Sequence, residues 1–175
     1  TCNTWCDVSA SGVGDESIEM AERGAAHVTG LDIRQKFIEQ AQANASRSSV
    51  ANRVDFRTAP NGPAEVIVSL DCFEHYGEPA RVLEQMAACL APDGKVLVSF
   101  GGTWYHPYGG HLFALFPWAH LLFTEQAMLT WRKQSHPQQT ANTILECGLN
   151  KMTIRRFERL VEQSPLRFER YETRP

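Results

Sequence analysis

Residues 9–14 and the acid Asp32 have the types and the spacing of a site that holds a nucleotide-like ligand. Residues 9–14 are small, and Gly14 precedes Asp32 by 18 positions, close to the roughly 20 that separate the glycine loop from the ribose-binding acid in such sites. Small residues let backbone N–H groups approach a ligand at the positive end of a helix. A carboxylate at the end of the next strand can accept hydrogen bonds from both ribose hydroxyls.

The elements around these residues must bring the loop and the acid to one edge of a sheet. Apolar patterning predicts a strand at residues 4–8, a helix at 15–23 and a second strand at 27–33. Two ligand types fit this arrangement: a nicotinamide or flavin dinucleotide, and S-adenosylmethionine. Residues 12–17 nearly match the dinucleotide fingerprint, with serine in the last position. The loop by itself therefore leaves both ligands open.

Length, composition and charge exclude several classes of protein. The chain has 175 residues, 43% of them hydrophobic, and a net charge of −3, which predicts one folded domain over residues 1–175 and no nucleic-acid partner. No apolar run approaches the ~18 residues that span a bilayer, and the N-terminus lacks a basic segment followed by an apolar one. A cytoplasmic location is the default expectation.

The cysteines indicate neither a disulfide framework nor a zinc site. They are five in number, widely spread and never two residues apart in a C-x-x-C pair: Cys2, Cys6, Cys72, Cys89 and Cys147. We expect ordinary thiols and no metal.

Three more strands and two helices follow the second strand. The strands are predicted at residues 54–58, 64–70 and 95–100, and the helices at 33–41 and 78–90. The apolar run at 64–70 is typical of a central parallel strand that is covered on both faces, and the Pro-Asp-Gly at 92–94 is expected to end the second helix. Five strands with helices between them predict a doubly wound α/β domain with a mostly parallel sheet in three layers.

The C-terminal part of the chain is predicted to contain two helices and one strand. A helix with a threonine cap is expected at residues 124–132, and a strongly amphipathic helix at 152–163. Imperfect alternation of apolar and charged residues at 166–173 suits a sixth strand. The arginines near the second of these helices alternate with glutamates, which favours a solvated ion-pair face.

Three segments resemble a class I S-adenosylmethionine-dependent methyltransferase. They are residues 28–33 with the following helix, residues 69–75 with their Glu-His pair, and residues 83–99, which contain a Leu-Ala-Pro-Asp-Gly run similar to the family's. The resemblance covers residues 4–100. It implies a Rossmann-like fold in which residues 1–100 are the cofactor-binding half and residues 101–175 supply the acceptor side.

The resemblance also implies roles by position, with S-adenosylmethionine as cofactor. The loop residues would lie under its methionine part, Asp32 would bind the ribose, Ile33 would press on the adenine, and the end of the fourth strand would flank the sulfonium. The residues assigned to the cofactor are Asp7, Ser9, Ser11, Gly12, Gly14, Asp32, Ile33, Thr58, Ser69 and Leu70.

The sequence departs from the family pattern at three of these positions. Ser9 and Ser11 stand where the family has glycine, and Thr58 lies where it has an acid. A serine that must adopt positive φ is strained by about 1 kcal/mol. A rival hypothesis follows, in which a non-catalytic domain kept the fold with an impaired donor site and serves as a binding or dimerising module. If no further strand completes the sheet, one sheet edge is uncovered, and pairing of two copies through that edge is one way to cover it.

Methyl transfer requires donor and acceptor to be held in line, with a base only where the acceptor loses a proton. The catalytic candidates are His75, His106 and Tyr105, with His111 a further possible base. A structural hydrogen bond at a helix start is the alternative role for His75. The expected acceptor is a small molecule or a saccharide-like compound.

The aromatic and histidine-rich residues 101–123 have several interpretations. A loop of this length after a strand is usually functional. It could line an acceptor pocket, cover the carboxyl edge of the sheet, or hold a metal through His106, His111 and His120, although these lack tight spacing and an acidic partner. Residues 113–123 could instead present an apolar surface to a partner or a membrane.

Overall fold

The computed structural model describes residues 3–6, 13–113 and 115–173. The strands are β1 (Asn3–Cys6), β2 (His27–Leu31), β3 (Val54–Arg57), β4 (Ala64–Leu70) and β5 (Leu90–Ser99). The helices are α1 (Asp15–Glu22), α2 (Gln35–Ala45), α3 (Pro79–Cys89), α4 (Ala119–Leu122), α5 (Glu125–Ser135) and α6 (Ile154–Glu162), with 3₁₀ turns at Ala51–Arg53 and His111–Phe113. Four predicted cofactor residues lie outside the described residues: Asp7, Ser9, Ser11 and Gly12.

The five strands form one parallel sheet in the order β3-β2-β1-β4-β5. Because β1 pairs with β2 on one side and with β4 on the other, the strand order reverses between β1 and β4. This is the doubly wound arrangement that the sequence predicted. Among the described strands, β3 and β5 are at the edges, and pairing of two copies through an edge stays a prediction.

The described residues divide into two compact units. The first comprises the described residues up to Cys72 together with Gln85–Ser99 and contains the sheet, and the second comprises Phe73–Glu84 and the described residues from Phe100 onward. The prediction of a single domain over the whole chain stays a prediction.

The first unit has an apolar core to which Phe56 of β3 contributes. Val28 and Val54, which are partners in the β2–β3 register, are buried there with Ile38 of α2. The core also contains Ala21, Ala41, Ala45, Val50 and Val68. Small residues on α1 and α2 let these helices approach the sheet closely, as the apolar stripes of the sequence indicated.

The second unit contains two apolar clusters. Phe73 is fully buried and packs edge-on against Phe157 of α6, with ring centroids 5.1 Å apart. A separate cluster joins α5 to the segments on either side of it and consists of Phe113, Met128, Leu129, Ile144 and Leu149. No described helix combines the length and the apolar character needed to cross a membrane.

β5 differs from the predicted strand at its beginning. The sequence predicts a turn at residues 92–94 before a strand starting at Lys95, whereas β5 already begins at Leu90. The register passes from Ala64 opposite Leu90 to Val66 opposite Lys95, so the residues between form a bulge. Asp93 has φ 60° there. The turn-forming residues therefore interrupt a strand instead of preceding it.

The predicted sixth strand is wrong. The described residues 163–173 contain no strand. The aromatic side chains of this segment pack at tilted angles instead: the centroid of the Phe168 ring lies 6.1 Å from that of Phe157 on α6 and 4.9 Å from that of Tyr171. Imperfect alternation of apolar and charged residues is compatible with this packing as well as with a strand. A strand also needs a neighbouring strand to pair with its backbone hydrogen-bonding groups, so the alternation alone does not specify one.

The two C-terminal helices are confirmed, as is the threonine cap predicted for the first, and the second has a threonine cap that was not predicted. The Thr124 Oγ1 atom accepts a hydrogen bond from the Ala127 amide at 3.2 Å, and the Thr153 Oγ1 atom accepts one from the Arg156 amide at 3.1 Å. Each hydroxyl satisfies one of the amides that a helix start leaves without a partner. α5 extends to Ser135, three residues beyond its expected end.

Candidate active site

The carboxyl ends of β2 and β4 are where this sheet can hold a ligand. In open parallel sheets, ligands bind beyond the carboxyl ends of the strands at the point where the strand order reverses, which is here between β1 and β4. Asp32 directly follows β2, and Leu70 is the last residue of β4. The residues after β1 are outside the described part of the chain.

Asp32 is a buried acid whose two carboxylate oxygens are both hydrogen-bonded. Its Oδ1 atom accepts from the backbone amide of Arg34 at 2.8 Å and from the Arg34 Nε at 3.0 Å, while Oδ2 accepts from the Arg34 Nη2 at 3.0 Å. The Asp32 side chain is 2% exposed and that of Arg34 is 53% exposed. This partner was not predicted, although an acid followed two residues later by an arginine is visible in the sequence.

Arg34 is also held by the start of α2. Its guanidinium carbon lies 3.9 Å from the centroid of the Phe37 ring, a cation–π contact. The hydrogen bonds to Asp32 raise the pKa of Arg34 above its ordinary value, and partial burial opposes this only in part. The guanidinium is therefore a permanent charge at the end of β2.

Gly14 begins α1 in a conformation that only glycine adopts without strain. Its φ is 87°, and a Cβ atom there would lie 2.6 Å from the Phe56 Cζ and 2.9 Å from the Ala41 Cβ. The glycine thus allows the start of α1 to approach α2 and the core closely. The cofactor role that the sequence predicts for Gly14 stays a prediction.

The other predicted cofactor residues differ in exposure. Ile33 is 87% exposed beside the buried Asp32, and Thr58 is exposed just beyond β3. Ser69 is fully buried within β4, opposite Val98 of β5. Ile33 is therefore accessible for an apolar contact with a ligand, whereas the Ser69 side chain is buried within the sheet.

In the second unit, His75 is exposed but oriented by one hydrogen bond. Its Nδ1 atom lies 2.6 Å from the carbonyl oxygen of Gly148. Because a carbonyl oxygen can only accept, Nδ1 must carry the hydrogen, and in the neutral ring Nε2 keeps its lone pair. The rings of His75 and His111 are 5.5 Å apart.

Asn150 anchors the segment that carries His75. Its Nδ2 donates to the carbonyls of Phe73 and Tyr76 at 2.7 and 2.8 Å, and its backbone amide donates to the carbonyl of Glu74 at 2.8 Å. Asn150 is buried. Three hydrogen bonds from one residue therefore define the backbone around His75, a role that nothing in the local sequence indicated.

The two remaining catalytic candidates lie on the following loop. The His106 Nδ1 atom accepts from the amide of Tyr108 at 3.2 Å, so its neutral ring carries the hydrogen on Nε2. Tyr105 is 69% exposed. His75 thus presents a lone pair on Nε2 and His106 presents a donor there.

Among the described residues, the loop at 101–123 contains no group of side chains arranged to hold a metal ion. His120 is buried, with its Nε2 2.6 Å from the carbonyl oxygen of Trp104. Within residues 3–6, 13–113 and 115–173, no three histidine, cysteine, aspartate or glutamate side chains gather in a way that could hold a metal ion.

A parallel sheet with this strand order and a buried acid after β2 defines the doubly wound class of α/β proteins that bind nucleotide-like ligands. The family model described as a methyltransferase domain matches residues 3–163. The chain therefore belongs to this family, the class I S-adenosylmethionine-dependent methyltransferases, and the predicted cofactor is the one that the family uses.

Curated relatives are similar over between half and four fifths of the chain. A ubiquinone biosynthesis O-methyltransferase from Neisseria meningitidis serogroup C is 29% identical over 152 residues, which cover 82% of this chain and 62% of the relative. The 27-O-demethylrifamycin SV methyltransferase of Amycolatopsis mediterranei is 30% identical over 92 residues, covering 49% of this chain and 34% of the relative. The chain thus spans less than two thirds of the length of these relatives.

Solved structures confirm the Rossmann-like fold. The mycolic acid cyclopropane synthase CmaA1, solved with SAH and CTAB, aligns with a TM-score of 0.67 at 18% identity, covering 97% of this chain and 56% of that protein. The [4+2]-cyclase SpnF aligns with a TM-score of 0.51 at 21% identity, covering 58% of this chain and 42% of that protein. These names show that the fold alone does not determine the reaction.

Proposed function

We propose that this chain is the catalytic part of an S-adenosylmethionine-dependent O-methyltransferase that acts on a small molecule. The observation that carries the proposal is the buried Asp32 carboxylate at the end of β2, in a chain that belongs to the methyltransferase family. The rival hypothesis, a non-catalytic binding module, is not favoured by the family match.

The residues at the end of β2 fit the ribose of the cofactor. A ribose presents two neighbouring hydroxyl donors, and the Asp32 carboxylate accepts two parallel N–H donors from the Arg34 side chain in the arrangement that such a pair requires. Ile33 offers an exposed apolar surface for the adenine. We assign the remaining predicted residues, Asp7, Ser9, Ser11, Gly12, Gly14, Thr58, Ser69 and Leu70, to the same cofactor.

His75 is the proposed base. When bound, S-adenosylmethionine supplies a methyl group activated by a sulfonium. A hydroxyl acceptor that receives this methyl must lose its proton, and the His75 Nε2 lone pair can take it. The Gly148 carbonyl fixes the hydrogen on Nδ1, so the nitrogen of the neutral ring that can take the proton is Nε2. Tyr105 and His106 are proposed to contact the acceptor through their hydroxyl and Nε2 donor groups.

The oxygen acceptor is supported by the names of two relatives. One is a ubiquinone biosynthesis O-methyltransferase and the other a 27-O-demethylrifamycin SV methyltransferase, so both names specify transfer to oxygen. A panel of catechols, phenolic acids, monosaccharides and primary amines, incubated with the chain and methyl-labelled S-adenosylmethionine, tests this class. Label in an ether is expected, while label confined to amine acceptors would contradict it.

Calorimetric titration with S-adenosylmethionine and S-adenosylhomocysteine tests the donor site. Asp32→Asn removes the charge that the ribose hydroxyls are proposed to bind and is expected to weaken binding about tenfold or more. Asp55→Asn is the matched control, because Asp55 lies within β3 and pairs with Arg57 at 2.8 Å. Absence of heat from the unaltered chain at millimolar ligand would instead support the non-catalytic rival.

A further inference from the structure

Among the residues that the structure describes, three donors reach the Asp32 carboxylate, and all three belong to Arg34. The backbone amide and Nε of Arg34 bind Oδ1, and Nη2 binds Oδ2. An ionised carboxylate offers about four lone-pair sites. One site therefore remains, whereas the two hydroxyls of a ribose need two.

Arg34 and a ribose consequently cannot both be fully bound. The backbone amide of Arg34 is fixed by the chain, so the donors that can leave are those of the guanidinium. This group is able to leave, since the Arg34 side chain is 53% exposed while the Asp32 side chain is 2% exposed. The Phe37 ring, 3.9 Å from the guanidinium carbon, contacts the cation independently of Asp32.

We propose that Arg34 is an internal competitor for the donor site: its guanidinium takes the place of the ribose hydroxyls on Asp32 and must be displaced when S-adenosylmethionine or S-adenosylhomocysteine binds. The inference rests on the proposed function, because it concerns the same site. The ion pair thereby lowers donor affinity. It also keeps the buried carboxylate partnered between turnovers, which avoids an unpaired buried charge.

Salt distinguishes this role from a direct contact with the ligand. The Arg34–Asp32 pair is partly exposed, so added salt screens it. S-adenosylhomocysteine has no net charge, and its ribose contact is screened less. Its affinity for the unaltered chain is therefore expected to rise between low and high NaCl concentrations.

The test is calorimetric titration of S-adenosylhomocysteine into three variants of the full chain. Arg34→Met keeps the aliphatic stem without donors and is expected to bind about three- to tenfold more tightly than the unaltered chain, with little salt dependence. Arg34→Lys keeps the charge without the planar fork and is expected to be intermediate. Lys36→Met is the matched control, because Lys36 is exposed on α2 and the substitution changes the net charge equally.

Each outcome decides the proposal. Equal or weaker binding by Arg34→Met, in a chain whose unaltered form binds, overturns the competitor role and leaves the proposed function intact. Absence of binding by the unaltered chain and by all variants rejects the donor site, and the competitor with it. Thermal unfolding shows whether Arg34→Met folds. If it does not, the decision rests on Arg34→Lys and on the salt dependence of the unaltered chain. The proposal is then overturned if salt does not change the affinity of the unaltered chain for S-adenosylhomocysteine and Arg34→Lys binds it with the same affinity.

Discussion

The Nδ1 atom of His75 donates a hydrogen bond to the carbonyl oxygen of Gly148, 2.6 Å away and 73 positions later in the chain. Gly148 has φ 85°, with no atoms near the position of a Cβ. A left-handed residue that favours glycine therefore aims the carbonyl at the imidazole. This contact determines which nitrogen of His75 can accept a proton.

His75→Gln is expected to lower kcat for an O-methyl acceptor by about 10²- to 10⁴-fold, because glutamine cannot accept the acceptor's proton. The Kd for S-adenosylhomocysteine should not change. Transfer of labelled methyl and calorimetric titration measure the two quantities. His136→Gln, at the exposed end of α5, is the control and should retain full activity. Undiminished kcat in His75→Gln would exclude His75 as the base.

Asn150→Asp is expected to destabilise the chain by about 3 kcal/mol. The substitution replaces the two N–H donors to Phe73 and Tyr76 with a carboxylate oxygen facing two carbonyl oxygens in a buried place. Urea unfolding measures the loss. Asn52→Asp, on the exposed 3₁₀ turn Ala51–Arg53, is the control and should change stability by less than about 0.5 kcal/mol. Equal effects of the two substitutions would contradict the anchoring role.

Gly14→Ala and Gly24→Ala separate backbone strain from crowding. Both glycines have positive φ, at 87° and 110°, but only at Gly14 would a Cβ approach the Phe56 ring, at 2.6 Å. Gly24→Ala is expected to cost about 1–2 kcal/mol and Gly14→Ala about 3 kcal/mol or more. Thermal unfolding gives both values. Adding Phe56→Leu to Gly14→Ala should cost less than the sum of the two single substitutions, and strict additivity would show that the ring is not the obstacle.

Glu125→Gln is expected to lower stability at neutral pH but not at low pH. The Lys151 ammonium, 2.5 Å away, and the Ile144 amide hold the pKa of Glu125 below its ordinary value. A lowered pKa in the folded state means that the carboxylate stabilises the fold above the unfolded pKa, and that this contribution disappears as the pH falls through the folded pKa. The side chain is 35% exposed, so about 1 kcal/mol or less is expected at pH 7.

Denaturant unfolding of the unaltered chain and of Glu125→Gln between pH 3 and pH 8 measures this difference. The gap should be constant from about pH 6 upward and close below about pH 4. Glu78→Gln is the control, because the Glu78–Arg81 pair is largely exposed and 3.4 Å apart. A gap that grows toward low pH would have the wrong sign for a carboxylate with a lowered pKa.

The parallel sheet and the acid after β2 were predictable from the amino-acid sequence. Buried strands are near-continuous apolar runs, capped helices begin with recognisable residues such as Thr124, and Asp32 lies at a countable distance from Gly14. These features depend on local backbone preference and on burial, which are properties of neighbouring residues. The resemblance of three sequence segments to the methyltransferase family also predicted the cofactor, S-adenosylmethionine.

Only the tertiary structure decided how the site residues are paired. The partner of His75 is 73 positions away, and Asn150 reaches back to Phe73 across 77 positions. Arg34 is close to Asp32 in the chain, but only the folded structure shows its side chain on the carboxylate. The bulge in β5 and the missing sixth strand have the same origin, because a strand exists only where another strand satisfies its hydrogen bonds. Local pattern specifies the elements, whereas side-chain orientation and strand pairing arise from contacts between segments that are distant in the chain.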